Sequence, residues 1–272
     1  MNPLLSSGGK LLSKIIQREV RSYRPYCNVN PDQLANVLRP ADVLLVEGNQ
    51  HMSVAIKYLT QSTWSHAAMF IGDYEGGAAQ NSVKNALIEV DLDRGCHVLP
   101  LAHYQEFNVR ICRPVALTPE DNEKVVRFMV DRIGLKYDLK NILDLLRYLI
   151  PTPPIPVRWR RRMMALGSGD PTRAICSSLI AQAFQSVHYP ILPQIERNGR
   201  TGSGASGYSA DDIFQIRHHS LFAPRDFDLS PFFAVIKPTV EYGFDYSAKR
   251  WAQNTDDIRN PQVTREISPQ RG

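Results

Sequence analysis

The sequence predicts an α+β fold, a small antiparallel barrel-like sheet packed on a helix that carries a cysteine. Three observations predict it. Short apolar runs separated by turn residues fall between residues 43 and 112. A well-marked amphipathic helix follows at 118–134, and a second apolar helix opens at Cys176. The 272 residues, 43% of them hydrophobic, suffice for one substantial core. Nineteen prolines and sixteen glycines imply many turns without low complexity.

Residues 1–38 read as an N-terminal arm. Leu11, Leu12, Ile15, Ile16 and Val20 recur at helical spacing, with Lys10, Lys14, Arg18 and Arg21 between them. Packing on the domain is preferred for this helix over lying at a membrane interface. The domain proper is expected over 39–238, with a C-terminal tail over 239–272.

The first strand is Val43-Leu44-Leu45-Val46, after Pro40 and Asp42. Ala67 to Ile71 is the second, closed by Gly72-Asp73. Leu87-Ile88-Glu89-Val90 is the third, and Val109-Arg110-Ile111-Cys112, ending at Arg113-Pro114, is the fourth. Their spacing suggests an antiparallel meander. A helix then starts at Thr118, a natural N-cap, with Pro119 at its first position and Glu120 and Asp121 at the positive end of its dipole. Val125, Val126, Phe128, Met129 and Ile133 form its buried stripe, and Gly134 stops it.

Residues 135–174 are unusual in composition. Leu139, Ile142, Leu143, Leu146, Leu149 and Ile150 share one helical face. Pro151 to Pro156 cannot continue that helix, and Arg158, Trp159, Arg160, Arg161 and Arg162 form a basic cluster. The cluster is a candidate membrane contact; a solvated basic loop is the equal alternative. Residues 197–209 are rich in glycine and serine and read as a loop. Phe232 to Ile236 is the expected last strand.

The net charge of +5 favours acidic partners, anionic lipid surfaces among them. No nucleic-acid partner is predicted. The spacing of Cys27, Cys96, Cys112 and Cys176 gives neither a CxxC pair nor a zinc pattern, so free thiols and no metal are expected. No signal peptide and no membrane-spanning run are read, which points to a cytoplasmic protein or one exported without such a signal, with peripheral membrane association open.

The chemistry converges on Cys176 and His66. Cys176 heads an apolar helix whose next turn carries Leu179, Ile180, Ala183 and Phe184. A helix N-terminus lowers a thiol pKa and offers backbone N–H groups to an oxyanion. His66 stands at the mouth of the second strand, placed to act as a base. A base needs an orienting acid, and Glu89 lies inside an otherwise apolar strand, where a carboxylate is costly unless paired. The competing reading leaves Glu89 facing solvent on an edge strand. His51, His97, His103, His188, His218 and His219 read as non-catalytic, His97 and His103 in loop-like surroundings.

The same segments resemble a known family. Asp42 to Val46, Leu59-Thr60, Trp64-Ser65-His66 and Ile71-Gly72 resemble the opening of the circularly permuted NlpC-type papain-like hydrolases, and of the YaeF/YiiX permuted amidases in particular. Ile88-Glu89, Arg113-Pro114, Gly134 to Asp138, Ile175 to Ala181 and Ala223 to Phe227 resemble later family segments in the same order. The resemblance runs from about residue 40 to about residue 237, and His66 precedes Cys176 as the permuted order requires; against the family pattern, about residues 139–172 are an insertion. It implies a thiol hydrolase of amide or peptide bonds with Cys176 as nucleophile, His66 as base, Glu89 as orienting acid and Tyr137 as an oxyanion donor, without cofactor or metal. Related enzymes of the lecithin–retinol acyltransferase type act on lipid esters, which makes an acyl-lipid substrate at an anionic membrane the second reading. Their Asn-Cys-Glu-His run is missing at Cys176. A non-catalytic binding module on the same fold is the third.

Overall fold

The computed structural model describes residues 30–76, 82–91, 94–136, 175–196, 213–243, 245, 247 and 248. The chain divides into two compact units, Met1–Ile236 and Lys237–Gly272. Within the first, the described helices are α1 (Pro31–Val37), α2 (His51–Thr60), α3 (Pro119–Val130), α4 (Ile175–Gln185) and α5 (Arg225–Leu229). The strands are β1 (Val43–Val46), β2 (His66–Tyr74), β3 (Val83–Asp91), β4 (Gly95–Pro100), β5 (Val109–Pro114), β6 (Gln194–Glu196), β7 (Ile213–Gln215) and β8 (Phe233–Ile236). In the second unit the described helix is α6, Pro238–Glu241.

Six strands form one antiparallel sheet in the order β4-β3-β2-β1-β5-β8, and β6 pairs with β7 separately. The sheet is α+β in context, but open rather than barrel-like. After the β1–β4 meander the chain returns to the far side of β1, so β5 pairs with β1 and does not extend the β4 edge.

Local chemistry explains the elements. Asn30 caps α1 by accepting the Asp32 N–H at 2.8 Å, with Pro31 in the first turn. Thr118 caps α3 in the same way, 3.2 Å from the Asp121 N–H, and Val125 and Met129 are its buried residues. The α-helix stops at Val130. A turn then leads to Gly134, whose positive φ of 88° fits glycine. β2 runs past Gly72-Asp73 to Tyr74, since a shift of register at Gly72 carries the pairing onward where a turn was expected.

β4 has no strand signal in the sequence. Gly95 opens it at φ 73°, and a Cβ there would strike the Leu135 carbonyl oxygen. That close approach lets the Cys96 N–H reach Leu135 O at 2.9 Å and the Gly134 N–H reach Cys96 O at 2.7 Å. The end of the α3 segment thus locks the first residues of β4 in place.

Strand alternation divides the core into two layers. Val43, Leu45, Ala67, Met69, Ile88, Val90, Cys96 and Cys112 pack with α3, α4 and Phe227 on one face. Leu44, Val46, Ala68, Phe70, Leu87, Leu99 and Ile111 pack on the other with Leu34, Leu38, Leu101 and Tyr104. By the same alternation His66, Glu89 and His97 belong to the second face. Cys176 reaches them from the first, because it lies in the opening turn of α4.

The predicted helix in the arm, the insertion over 139–172 with Arg158, Trp159, Arg160, Arg161 and Arg162, the loop over 197–209 and Tyr137 lie outside the described residues. Among the described residues no helix is long and apolar enough to cross a membrane.

Candidate active site

β2 begins at His66, and the residues before it are pinned on all sides. The Ser65 N–H donates to Val46 O at 3.1 Å, and Ser65 Oγ accepts the Gly48 N–H at 2.9 Å. Trp64 Nε1 donates to Asp228 of α5 at 3.1 Å. Arg110 of β5 binds the same carboxylate at 2.6 and 2.7 Å, with its guanidinium 4.9 Å from the Trp64 ring centre. Extending the β2–β3 register of Met69↔Ile88 by one residue sets Ala68 opposite Glu89. His66 therefore sits on the diagonal from Glu89, on the same face.

Their side chains meet. His66 Nε2 lies 2.6 Å from Glu89 Oε2. An ionised carboxylate only accepts, so Nε2 carries the proton and Nδ1 is the ring nitrogen left for another partner. The ring also hydrogen-bonds the Cys176 sulfur. The structure thus brings together Cys176, His66 and Glu89, three of the residues singled out in the sequence. Glu89 is 4% exposed and lies in β3, between β2 and β4, not on a solvent-facing edge.

Charge and burial act together here. Burial raises the Cys176 thiol pKa, but the His66 charge, its hydrogen bond and the main-chain N–H groups of Ala67 and Ser177 outweigh it and bring the value below that of an ordinary thiol. Burial likewise disfavours a charged His66; Cys176 and Glu89 overcome it and raise the imidazole well above its ordinary value. Glu89 is held well below the usual carboxylate range, against its own burial, by His66, His97 and Tyr104. Both halves of the Cys176–His66 pair point to a thiolate facing an imidazolium.

The other described cysteines behave in the opposite way. Burial pushes Cys96 to about 11 and Cys112 to about 12. Cys176 is enclosed, at 5% exposed, with α4 pressing it against the start of β2. The His66 side chain keeps 23% of its surface open, so solvent meets the pair from the imidazole side.

Tyr104, His97 and Arg94 also reach Glu89. Tyr104, in a short 3-10 helix (Leu101–Tyr104), donates its hydroxyl to Oε2. His97 lies in β4, not in a loop, and is the direct cross-strand partner of Glu89, with Nε2 3.1 Å from Oε1. Burial and the Glu89 charge lift the Tyr104 hydroxyl well above its ordinary value, so it stays a donor. Tyr104 carries no local sequence signal; its role arises from the turn that follows β4. His103 makes an edge contact with the Tyr104 ring, and His218 and His219 stack on each other.

Glu89, Asp91 and His97 each offer one donor atom within 4.8 Å of the others. A cationic side chain already serves both carboxylates: Arg94 reaches Glu89 Oε1 at 3.4 Å and Asp91 Oδ2 at 2.7 Å. The cluster therefore suits a guanidinium better than a metal ion.

No protein-family model and no curated protein matches the chain. Among solved structures, the chain is similar to the crystal structure of metalloprotein yiiX from Escherichia coli O157:H7, DUF1105, at 13% identity and a TM-score of 0.41, over 73% of this chain and 96% of that one.

Proposed function

We propose that this chain is a cysteine hydrolase of the permuted papain-like, NlpC-type class, cleaving an amide or peptide bond through a thioester. The observation that carries the reading is the His66 ring held between the Cys176 sulfur and the Glu89 carboxylate, at the first turn of a helix. Packing alone does not require a buried thiol, imidazole and carboxylate in series. The three ionisable groups are worth their desolvation if the thiolate is used.

In this mechanism the Cys176 thiolate attacks the substrate carbonyl carbon and forms a C–S bond, moving an electron pair onto the oxygen. Main-chain N–H groups at the α4 terminus are suited to stabilise that oxyanion. As the tetrahedral species collapses, the C–N bond breaks and His66 gives its proton to the leaving amine. Neutral His66 then takes a proton from water, which attacks the thioester. The acid departs and the thiolate–imidazolium pair is restored. Glu89 stays ionised throughout and fixes the ring orientation.

The test pairs labelling with turnover. Iodoacetamide at neutral pH should alkylate Cys176 ahead of Cys96 and Cys112. A library of peptidyl aminocoumarin amides should be cleaved by the wild type and left intact by a folded Cys176→Ala protein. Equal labelling of the three thiols, or turnover that survives Cys176→Ala, overturns the reading.

A further inference from the structure

Two imidazoles face Glu89, one at each carboxylate oxygen. His66 Nε2 holds Oε2 at 2.6 Å, and His97 Nε2 stands 3.1 Å from Oε1. The His97 ring is fixed at its other end, where Nδ1 lies 3.0 Å from the Gly95 carbonyl oxygen. A carbonyl only accepts, so Nδ1 carries a proton. Nε2 is sealed from solvent and has no aligned acceptor. Its polar neighbours are carboxylates, Glu89 Oε1 and, at 3.8 Å, Asp91 Oδ2. In a neutral ring with its proton on Nδ1, the Nε2 lone pair would face these oxygens and repel them. A second proton turns the repulsion into an ion pair.

We propose that His97 is a positioning residue of the site: its imidazolium shares the Glu89 carboxylate with His66, and its charge sets how strongly Glu89 holds the His66 imidazolium. The inference rests on the reading of Cys176, His66 and Glu89 as the reacting group. Among the described residues the charged groups facing His97 are Glu89 and Asp91 of β3 and Arg94 of the turn before β4. Arg94 also lies on Glu89 and Asp91, and the variable charge considered in this group is that of His97. With His97 protonated, the Glu89 charge is divided between two imidazoliums. Once His97 loses its proton, the carboxylate serves His66 alone, and the His66 imidazolium persists to higher pH.

Imidazole NMR titration in a Cys176→Ser background tests this apart from any catalytic result, because no thiolate is present. His97→Gln keeps a donor toward Glu89 without the charge, and His97→Asn keeps one toward Gly95. Either change should raise the pH at which His66 loses its proton by about one unit. In the parent protein the His66 curve should also bend at the His97 midpoint. A His66 midpoint unmoved or lowered in a folded variant overturns the proposal. So does a single-site His66 curve in the parent, which needs no His97 variant to fold. Failure of the hydrolase reading would appear elsewhere, as intact turnover after Cys176→Ala.

Discussion

His66 Nε2 lies 2.6 Å from Glu89 Oε2, and the same ring bonds the Cys176 sulfur, so a 4%-exposed carboxylate acts on the thiol through one imidazole. Glu89→Gln tests that chain of influence. Without the carboxylate the His66 imidazolium loses a counter-charge, its pKa falls, and the thiolate loses its partner. The acid limb of the Cys176 alkylation profile should then move to higher pH. At pH 6 labelling should slow about tenfold for every pH unit by which the midpoint then stands above 6. Mass-spectrometric labelling rates between pH 4 and 9 check this, and an unmoved limb contradicts the role given to Glu89.

Tyr104 supplies a second hydrogen bond to the same carboxylate oxygen. Tyr104→Phe removes a donor to a charged acceptor and should cost about 1.5–3 kcal/mol of stability. The sign with pH follows from Glu89. Its folded pKa is depressed, so its contribution is complete above the ordinary carboxylate value and is lost as pH falls through the folded one. Losing the Tyr104 bond weakens that depression. Urea denaturation at stepped pH should show the acid loss of stability beginning at the same pH in both proteins but levelling off at higher pH in Tyr104→Phe than in wild type.

A different ion pair sets the frame without touching the chemistry. Asp42, 1% exposed, receives Arg113 at 2.9 and 2.7 Å and the Arg39 N–H at 2.8 Å, joining the start of β1 to β5. Arg113→Met leaves a buried carboxylate without its main counter-charge and should destabilise the fold by about 3–5 kcal/mol. Adding Asp42→Leu should recover much of that loss. The midpoint of Cys176 alkylation should stay the same in each folded variant, since the sulfur is governed chiefly by its burial, by His66 and by the main-chain N–H groups of Ala67 and Ser177. A shifted midpoint would tie this clamp to the site.

What the sequence reveals and what it hides divide along local and long-range lines. β1, α3, α4 and β8 carry their own signals: apolar runs, Thr118-Pro119 and an apolar helical stripe. Cys176, His66 and Glu89 are legible because each is a chemically odd residue within such an element. α1 merges with the arm in the sequence, although Asn30-Pro31-Asp32 is an N-cap signal. β4 is hidden because Gly95 and Pro100 read as punctuation and its middle holds a cysteine and a histidine. His97 and Tyr104 join the site only through the Glu89↔His97 register and the turn after β4, and no local pattern encodes pairing. The open sheet follows from the same blindness, since the return of β5 to β1 is a long-range choice.

The most direct test is thiolate absorbance near 240 nm, taken as the difference between wild type and Cys176→Ser across pH. A thiolate stabilised by His66 predicts a step whose midpoint lies well below about 8.5, the value of an unperturbed cysteine, with signal already present at neutral pH. A midpoint at or above that value, in the direction of Cys96 and Cys112, would contradict the account.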